Sequence, residues 1–283
     1  MILAPTLLSI FLGPVFLGGM ASLLFGYQRH SSRKPGLLFH SILDKPQRNM
    51  SQYSTERFRS LLAELKKNSL SAVSLKQFSC PGEKTGEVLL TFDDGFENIY
   101  RNAIPALEDC GFKASIFCVA GFVGRDSTWD VYRSSRQLTK SQISEISSLG
   151  HEIGSHTLTH ANLPYLSSSN LEKELRESKQ RLEDITGRAV TSISFPYGSC
   201  SRRVWDKVKE TGYTQAALYR RSSFSDPDLY PVYGVYRLDR VNDVMERLLK
   251  KGFCASAARA RMMSHFSKGS PVWKFREEYI TVL

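Results

Sequence analysis

The stretch EVLLTFDDG, residues 87–95, decides how the rest of this sequence is interpreted. An apolar run ends at Phe92, and two adjacent carboxylates, Asp93 and Asp94, follow it directly before Gly95. A continuous apolar run of this kind is typical of a strand that is covered on both faces, as in a parallel sheet. Two neighbouring charges at the end of a buried strand are costly unless a positive partner meets them. The sequence therefore predicts a helix N-terminus, an arginine or a metal ion at this point.

Segments with the pattern of buried strands alternate with helical segments along most of the chain. This alternation predicts a parallel sheet covered by helices. About seven such units in one domain favour closure into a distorted (β/α) barrel. The predicted strands lie at 37–42, 87–92, 114–121, 151–156, 191–198, 213–219 and 235–241. In parallel barrels the reacting groups lie at the carboxyl ends of the strands, where Asp93 and Asp94 are expected.

The N-terminus is the strongest anomaly in the composition, because residues 1–28 contain no charged side chain and a basic cluster follows them. This stretch is long enough to span a bilayer. It predicts a membrane anchor or a secretion signal cleaved near Ala21, with a linker at 29–36; a buried core helix is the alternative. The expected location is the cell envelope, with the protein anchored or secreted. The basic cluster instead favours the cytoplasmic face of the membrane.

The remaining chain is expected to form one catalytic domain at 37–242 and a C-terminal helical extension at 243–283. The net charge of +10 favours anionic surroundings. The basic residues are dispersed, however, and no nucleic-acid-binding motif is found, so no nucleic acid partner is expected. The five cysteines are scattered and have no metal-ligand spacing, which argues against a disulfide framework.

A histidine pair lies in the segment SHTLTH, residues 155–160, where His156 and His160 are four residues apart. On a helical turn this spacing puts both imidazoles on one face, as two metal ligands require. Because the segment follows a predicted strand, it is expected at the same rim as Asp93 and Asp94. One carboxylate and two imidazoles would leave open metal positions for water and substrate. Solvated loop carboxylates and a histidine pair without a metal are the alternative.

A third segment, SFPYGS at 194–199, ends a later predicted strand. Pro196 and Gly198 predict a tight turn, which would aim the backbone N–H of Tyr197 into the mouth of the barrel. Such an N–H can donate to an oxyanion, whereas an ordinary turn without function is the alternative. Pro196 and Tyr197 are therefore candidate substrate-binding residues, and Trp129 is a candidate platform for a sugar ring.

The motifs TFDDG, SHTLTH and FPYG, in this order and spacing, resemble the three leading motifs of the polysaccharide deacetylases. These form carbohydrate esterase family 4 and share the NodB homology domain. The resemblance extends over roughly residues 37–241, and the segment LLFHSI at 37–42 is similar to the branch of poly-N-acetylglucosamine deacetylases. The resemblance implies a distorted (β/α) barrel and a divalent metal ion, usually Zn²⁺. The substrate it implies is a glycan that contains N-acetylated amino sugars.

The roles of individual residues follow from the same resemblance. Asp94, His156 and His160 would bind the metal ion. Asp93 would be the general base that deprotonates the attacking water. The backbone N–H of Tyr197, together with the metal ion, would stabilise the oxyanion.

The sequence departs from the family pattern in two places. Many members have an arginine two residues before the proline of the third motif, where it orients the base. This sequence has Ser194 there, and Arg240 is the candidate substitute. The late motif that supplies the general acid is not evident. His40 in LLFHSI is the candidate, as in the poly-N-acetylglucosamine branch, and His265 is the alternative.

Together these residues predict a metal-dependent hydrolase that removes N-acetyl groups from amino sugars of a polysaccharide or glycoconjugate. One alternative is an esterase or deformylase that removes O-acetyl or formyl groups from another carbohydrate or from a non-sugar amide. Another is a catalytically silent glycan-binding domain. The silent domain is disfavoured because the base and all three metal ligands are present.

Overall fold

The computed structural model describes residues 36–45, 49–82, 85–129, 135–219 and 224–249. The predicted membrane or signal segment at 1–28 lies outside the described residues, as do His265 and most of the predicted extension at 243–283. Predictions for these parts stay predictions. Among the helices that the structure describes, none combines the length and the apolar character needed to cross a bilayer.

Strands and helices alternate along the described residues. The strands are β1 (Gly36–Phe39), β2 (Ser41–Leu43), β3 (Gln52–Ser54), β4 (Ser71–Val73), β5 (Glu87–Phe92), β6 (Ser115–Cys118), β7 (Glu152–Ser155), β8 (Ser192–Ser194), β9 (Gln215–Leu218) and β10 (Leu229–Gly234). The helices are α1 (Thr55–Lys67), α2 (Leu75–Ser79), α3 (Glu97–Asn102), α4 (Ile104–Cys110), α5 (Lys140–Ser148), α6 (Ser168–Thr186), α7 (Arg202–Glu210) and α8 (Val241–Leu249). Short 3₁₀ turns lie at Ala120–Phe122, Leu163–Tyr165 and Pro196–Gly198.

Seven parallel strands close into a barrel in the order β1-β10-β9-β8-β7-β6-β5, and β5 pairs back with β1. The strand β4 adds to β5, while β2 and β3 form a separate parallel pair. Helices surround the barrel, and a large apolar cluster fills the space between the two layers. The predicted distorted (β/α) barrel of about seven strands is confirmed.

The inside of the barrel is filled rather than hollow. A second apolar cluster lies there, with Leu38, Leu89, Phe117, Ala217 and Val232 among its members. At the amino end, α2 covers the barrel through backbone N–H groups. Leu75 donates to Ser115 Oγ at 2.7 Å, and Lys76 donates to Glu152 Oε2 at 2.8 Å. Because Ser115 and Glu152 are the first residues of β6 and β7, these contacts put α2 over the amino ends of the strands.

The prediction of the last strand is wrong. The final barrel strand is Leu229–Gly234, and the predicted strand at 235–241 instead forms a turn that leads into α8. In this turn Tyr236 N donates to Asp239 Oδ2 at 2.8 Å, and Asp239 N donates to Tyr236 O at 2.9 Å. The sequence analysis missed the strand Leu229–Gly234 because it contains Pro231. A proline inside an apolar run weakens the pattern that predicts a strand. The helix α8 crosses the boundary predicted between residues 242 and 243.

Candidate metal centre and active site

The two carboxylates lie at the carboxyl end of β5, where the chain turns sharply. Asp93 N donates to Phe39 O at 2.9 Å, which continues the pairing of β5 with β1 for one residue. Asp94 and Gly95 then adopt left-handed conformations, with φ of 70° and 67°. A Cβ on Gly95 would also lie 3.1 Å from Cys118 Sγ. Glycine therefore suits this position for two reasons: it adopts the left-handed conformation without strain, and it leaves room for Cys118. Both carboxylates are buried, with Asp93 4% and Asp94 7% exposed.

The segment from His156 to His160 is a loop, so the predicted helical turn is wrong. Thr157 and His160 have left-handed conformations, with φ of 68° and 61°. The loop is closed by hydrogen bonds from Thr157 N to Ser155 Oγ at 3.1 Å and from His160 N to Thr157 Oγ1 at 3.0 Å. This loop, rather than a helix, brings both imidazoles to Asp94.

A buried carboxylate on α6, Glu174, fixes the same loop from the outside. Its Oε2 accepts hydrogen bonds from Leu158 N at 2.8 Å and from Thr159 N at 2.9 Å, and its Oε1 accepts one from Thr159 Oγ1. The sequence analysis missed this residue. The available signal was a charged residue directly before Leu175 on the buried face of a helix, which requires a partner.

Three donor groups converge at the rim. Asp94 Oδ1 lies 3.5 Å from His156 Nε2 and 3.3 Å from His160 Nε2. All three ligand atoms fall within 4.8 Å of one another, and all three residues are buried. This is the cluster that the sequence predicted as the metal site.

The donor groups fit a divalent metal ion. His156 Nδ1 lies 2.9 Å from Ser194 O and must donate to it, which leaves a lone pair on Nε2 in the neutral ring. That lone pair faces a carboxylate oxygen, Asp94 Oδ1, which is buried and accepts no hydrogen bond from any described residue. Two electron-rich atoms this close are unfavourable without a cation between them. Imidazole nitrogen and carboxylate oxygen are ligands that zinc and similar divalent ions accept.

The protonation of these groups follows from their surroundings. Burial alone would raise the pKa of Asp94, but the close approach of His160 and the other nearby imidazoles outweigh it. The pKa of Asp94 is therefore held well below its ordinary range. Burial, with the neighbouring His160, lowers the pKa of His156 to about 3. At neutral pH the pair is thus an ionised carboxylate and a neutral imidazole, the forms that bind metal ions.

Asp93 has a different environment from Asp94. Its Oδ2 accepts a hydrogen bond from Ser194 Oγ at 2.9 Å. Its Oδ1 is buried and has no hydrogen-bond partner among the described residues. Burial and the adjacent Asp94 carboxylate raise the pKa of Asp93 well above its ordinary value. The group therefore has a high proton affinity and one oxygen that is available to accept a proton, as a general base requires.

His40 follows β1 and lies beside the two aspartates. The pairing of Phe39 with Phe92 places His40 next to Asp93 across the two strands. The imidazole also lowers the pKa of both Asp94 and His156, so it lies within electrostatic reach of the metal ligands. This position agrees with what a proton donor at the same site would need, whereas the alternative donor, His265, lies outside the described residues.

Tyr197 and Trp129 flank the imidazole of His160. Tyr197 has a left-handed conformation, with φ of 60° and ψ of 10°, and its ring meets His160 edge-on at 4.9 Å. The turn is closed by hydrogen bonds from Gly198 N and Ser199 N, so the N–H of Tyr197 is outside the bonds of its own turn. Trp129 stacks on the other side of His160, with ring centroids 4.8 Å apart and an interplanar angle of 10°.

Arg240 lies directly before α8 with an exposed side chain, and its backbone N–H donates to Asp243 Oδ2 at 2.9 Å. Among the described residues, the hydrogen bond to the carboxylate of Asp93 comes from Ser194. A role for Arg240 at the base stays a prediction.

Comparison with known proteins agrees with this geometry. The family model described as polysaccharide deacetylase matches residues 81–216, which include all three motifs of the site. Over these residues the chain matches the polysaccharide deacetylase family.

Several relatives cover most of this deacetylase. A Bacillus subtilis protein provisionally named polysaccharide deacetylase YxkH is 28% identical over 217 residues, which are 74% of this chain and 71% of the relative. A poly-beta-1,6-N-acetyl-D-glucosamine N-deacetylase of Staphylococcus aureus is 25% identical over 214 residues, 70% of this chain and 71% of the relative. The crystal structure of BC0361, a polysaccharide deacetylase from Bacillus cereus, is 25% identical with a TM-score of 0.65 and covers 76% of this chain and 68% of the other. Like these proteins, the chain is a hydrolase of the deacetylase class.

The deacetylase should depend on Glu174 for the shape of its histidine loop. In Glu174→Gln, both backbone N–H groups lose the charge on the single oxygen that accepts from them, and a hydrogen bond to a charged group contributes about 1.5–3 kcal/mol. We expect the free energy of unfolding, measured by urea denaturation, to fall by about 2 kcal/mol. Zinc affinity, measured by competition with a chelator, should fall as well.

The control is Glu172→Gln on the same helix, because the Glu172 side chain is 42% exposed and its ion pair among the described residues is with Arg176. This variant should change the free energy of unfolding by less than about 0.5 kcal/mol. Equal effects of the two variants on stability and on zinc affinity would show that Glu174 does not shape the loop.

Proposed function

We propose that this deacetylase removes N-acetyl groups from amino sugars of a polysaccharide or glycoconjugate, with the help of a divalent metal ion, zinc in the first place. The observation that carries the proposal is the convergence of Asp94, His156 and His160 beside the available Oδ1 of Asp93. The printed name of the Staphylococcus aureus relative, which specifies poly-beta-1,6-N-acetyl-D-glucosamine, supports this class of substrate.

The metal ion would be held by Asp94 Oδ1 and by the imidazoles of His156 and His160. When bound, such an ion lowers the pKa of water and polarises a carbonyl oxygen. The protein fixes the ligands in advance. The carbonyl of Ser194 sets the orientation of the His156 ring, and Trp129 stacks on His160.

Asp93 would accept a proton from the attacking water at Oδ1. Its other oxygen is held by Ser194 Oγ, so the carboxylate cannot rotate freely. The raised pKa of Asp93 makes it a stronger base than an ordinary aspartate. The water oxygen then bonds to the acetyl carbon, and negative charge develops on the former carbonyl oxygen. The N–H of Tyr197 would donate a hydrogen bond to that oxygen.

The reaction is completed by breaking the bond between the acetyl carbon and nitrogen. An amine is a poor leaving group unless it gains a proton, and His40 would supply this proton from the β1 side of the rim. The products are acetate and the free amino sugar. A proton donor at this place favours an amide over an ester as the substrate, because an alkoxide needs less help to leave.

Asp93→Asn should separate catalysis from metal binding. The amide cannot accept the proton, so acetate release from β-1,6-linked N-acetylglucosamine oligomers should fall at least about 10²-fold. Zinc content, measured by atomic emission, should stay near that of the unaltered protein. His156→Ala is the contrasting variant, because it removes a ligand and should lose zinc as well as activity. An unchanged rate of acetate release by Asp93→Asn would show that Asp93 is not the general base.

His40→Ala should affect amides more than activated esters. The rate with N-acetylglucosamine oligomers should fall about 10²-fold or more, since the departing amine loses its proton donor. The rate with an aryl acetate should fall much less, because a phenolate leaves without a proton. Measuring both substrates with the same protein sample makes the ester the internal control. An equal loss on both would contradict an acid role for His40.

A further inference from the structure

Ser194, the last residue of β8, contacts two different parts of the candidate site. Its hydroxyl donates to Asp93 Oδ2 at 2.9 Å, and its carbonyl oxygen lies 2.9 Å from Nδ1 of His156. The side chain is 1% exposed. One residue therefore links the candidate base on β5 to a candidate metal ligand that follows β7.

We infer that Ser194 is the positioning residue for the base in this enzyme. The inference rests on the proposed role of Asp93 as the base. The hydroxyl holds Oδ2 of Asp93, so that the other oxygen, Oδ1, is the one presented to the attacking water. Arg240, the substitute expected from the sequence, is exposed at the start of α8.

The geometry explains how a serine can position the base. A carboxylate can rotate about its Cβ–Cγ bond, and a hydrogen bond from a buried donor restricts that rotation. The salt bridges of the described residues include none to Asp93, so the described side chain that orients the base is a neutral hydroxyl and not an arginine or a lysine. The contact to His156 uses the backbone and is independent of the side chain. Replacing the side chain should thus disturb Asp93 and spare the metal ligand.

The same strand contains a matched control, Ser192. It lies two residues before Ser194, so its side chain is on the same side of β8, and it is 0% exposed. Its hydroxyl has no hydrogen-bond partner among the described residues. Ser192→Ala therefore removes the same kind of atom from the barrel interior as Ser194→Ala does. It leaves the hydrogen bond to Asp93 in place.

The test compares Ser194→Ala, Ser194→Thr and Ser192→Ala in the full chain with zinc. With an aryl acetate as the probe, Ser194→Ala should lower kcat about 10–100-fold at unchanged KM and unchanged zinc content. Ser194→Thr, which keeps the hydroxyl, should recover most of kcat, and Ser192→Ala should match the unaltered protein. Wild-type kcat in Ser194→Ala, a matching loss of zinc, or an equal loss in Ser192→Ala would overturn the inference. If Ser194→Ala does not fold, Ser194→Cys replaces it with the same expected loss, because a thiol is a weak donor.

A second measurement does not depend on activity. Urea midpoints are compared for Ser194→Ala, Asp93→Ala and the double variant. The two shifts should not add, because both variants remove the same hydrogen bond. The shifts of Ser192→Ala and Asp93→Ala should add. Additive shifts for the Ser194 pair would overturn the inference even if the enzyme is active. If the unaltered protein releases no acetate from any substrate, the proposed function fails, and the midpoints alone decide whether Ser194 holds Asp93.

Discussion

The buried carboxylate of Asp94 constrains the whole rim of the barrel, because a negative charge out of contact with water must be met by positive charge or by hydrogen bonds. The described residues place two imidazole nitrogens within 3.5 Å of one of its oxygens, and neither provides a conventional hydrogen bond to it. The arrangement is favourable when a divalent cation lies among the three atoms. The loops that follow β5, β7 and β8 bring these groups and the candidate catalytic residues to one point of the rim.

The backbone at the site shows what this arrangement costs. Five described residues other than glycine have a positive φ, and four of them are Asp94, Thr157, His160 and Tyr197. Such conformations cost of order 1–3 kcal/mol each and persist only where the surroundings enforce them. Here the enforcing contacts are the carboxylate of Glu174 under the histidine loop and the filled barrel interior below the rim. The packing of the barrel therefore offsets the backbone strain of these four residues at the rim.

The sequence predicted the parts of the structure that depend on local pattern. Apolar runs such as EVLLTF identified the barrel strands, because a strand covered on both faces leaves few alternatives. The spacing of the histidines was compatible with both a helical turn and a loop. The loop conformation is held by the hydrogen bond between Leu158 in this loop and Glu174, which is 16 residues further along the chain. Arg240 stays the candidate predicted to orient Asp93, but no local pattern indicated the hydrogen bond from Ser194, which is 101 residues from Asp93 in the chain. A contact of this kind depends on how the strands pack, which local pattern does not specify.

The central claim is that Asp94, His156 and His160 hold a divalent metal ion at the rim. Zinc K-edge X-ray absorption on the zinc-loaded protein tests this claim most directly, because the spectrum identifies the ligand atoms without an assay. We expect one zinc per chain with only nitrogen and oxygen ligands and with the scattering pattern of two imidazoles. Sulfur ligands, or a spectrum that is unchanged when both His156 and His160 are replaced by alanine, would contradict it.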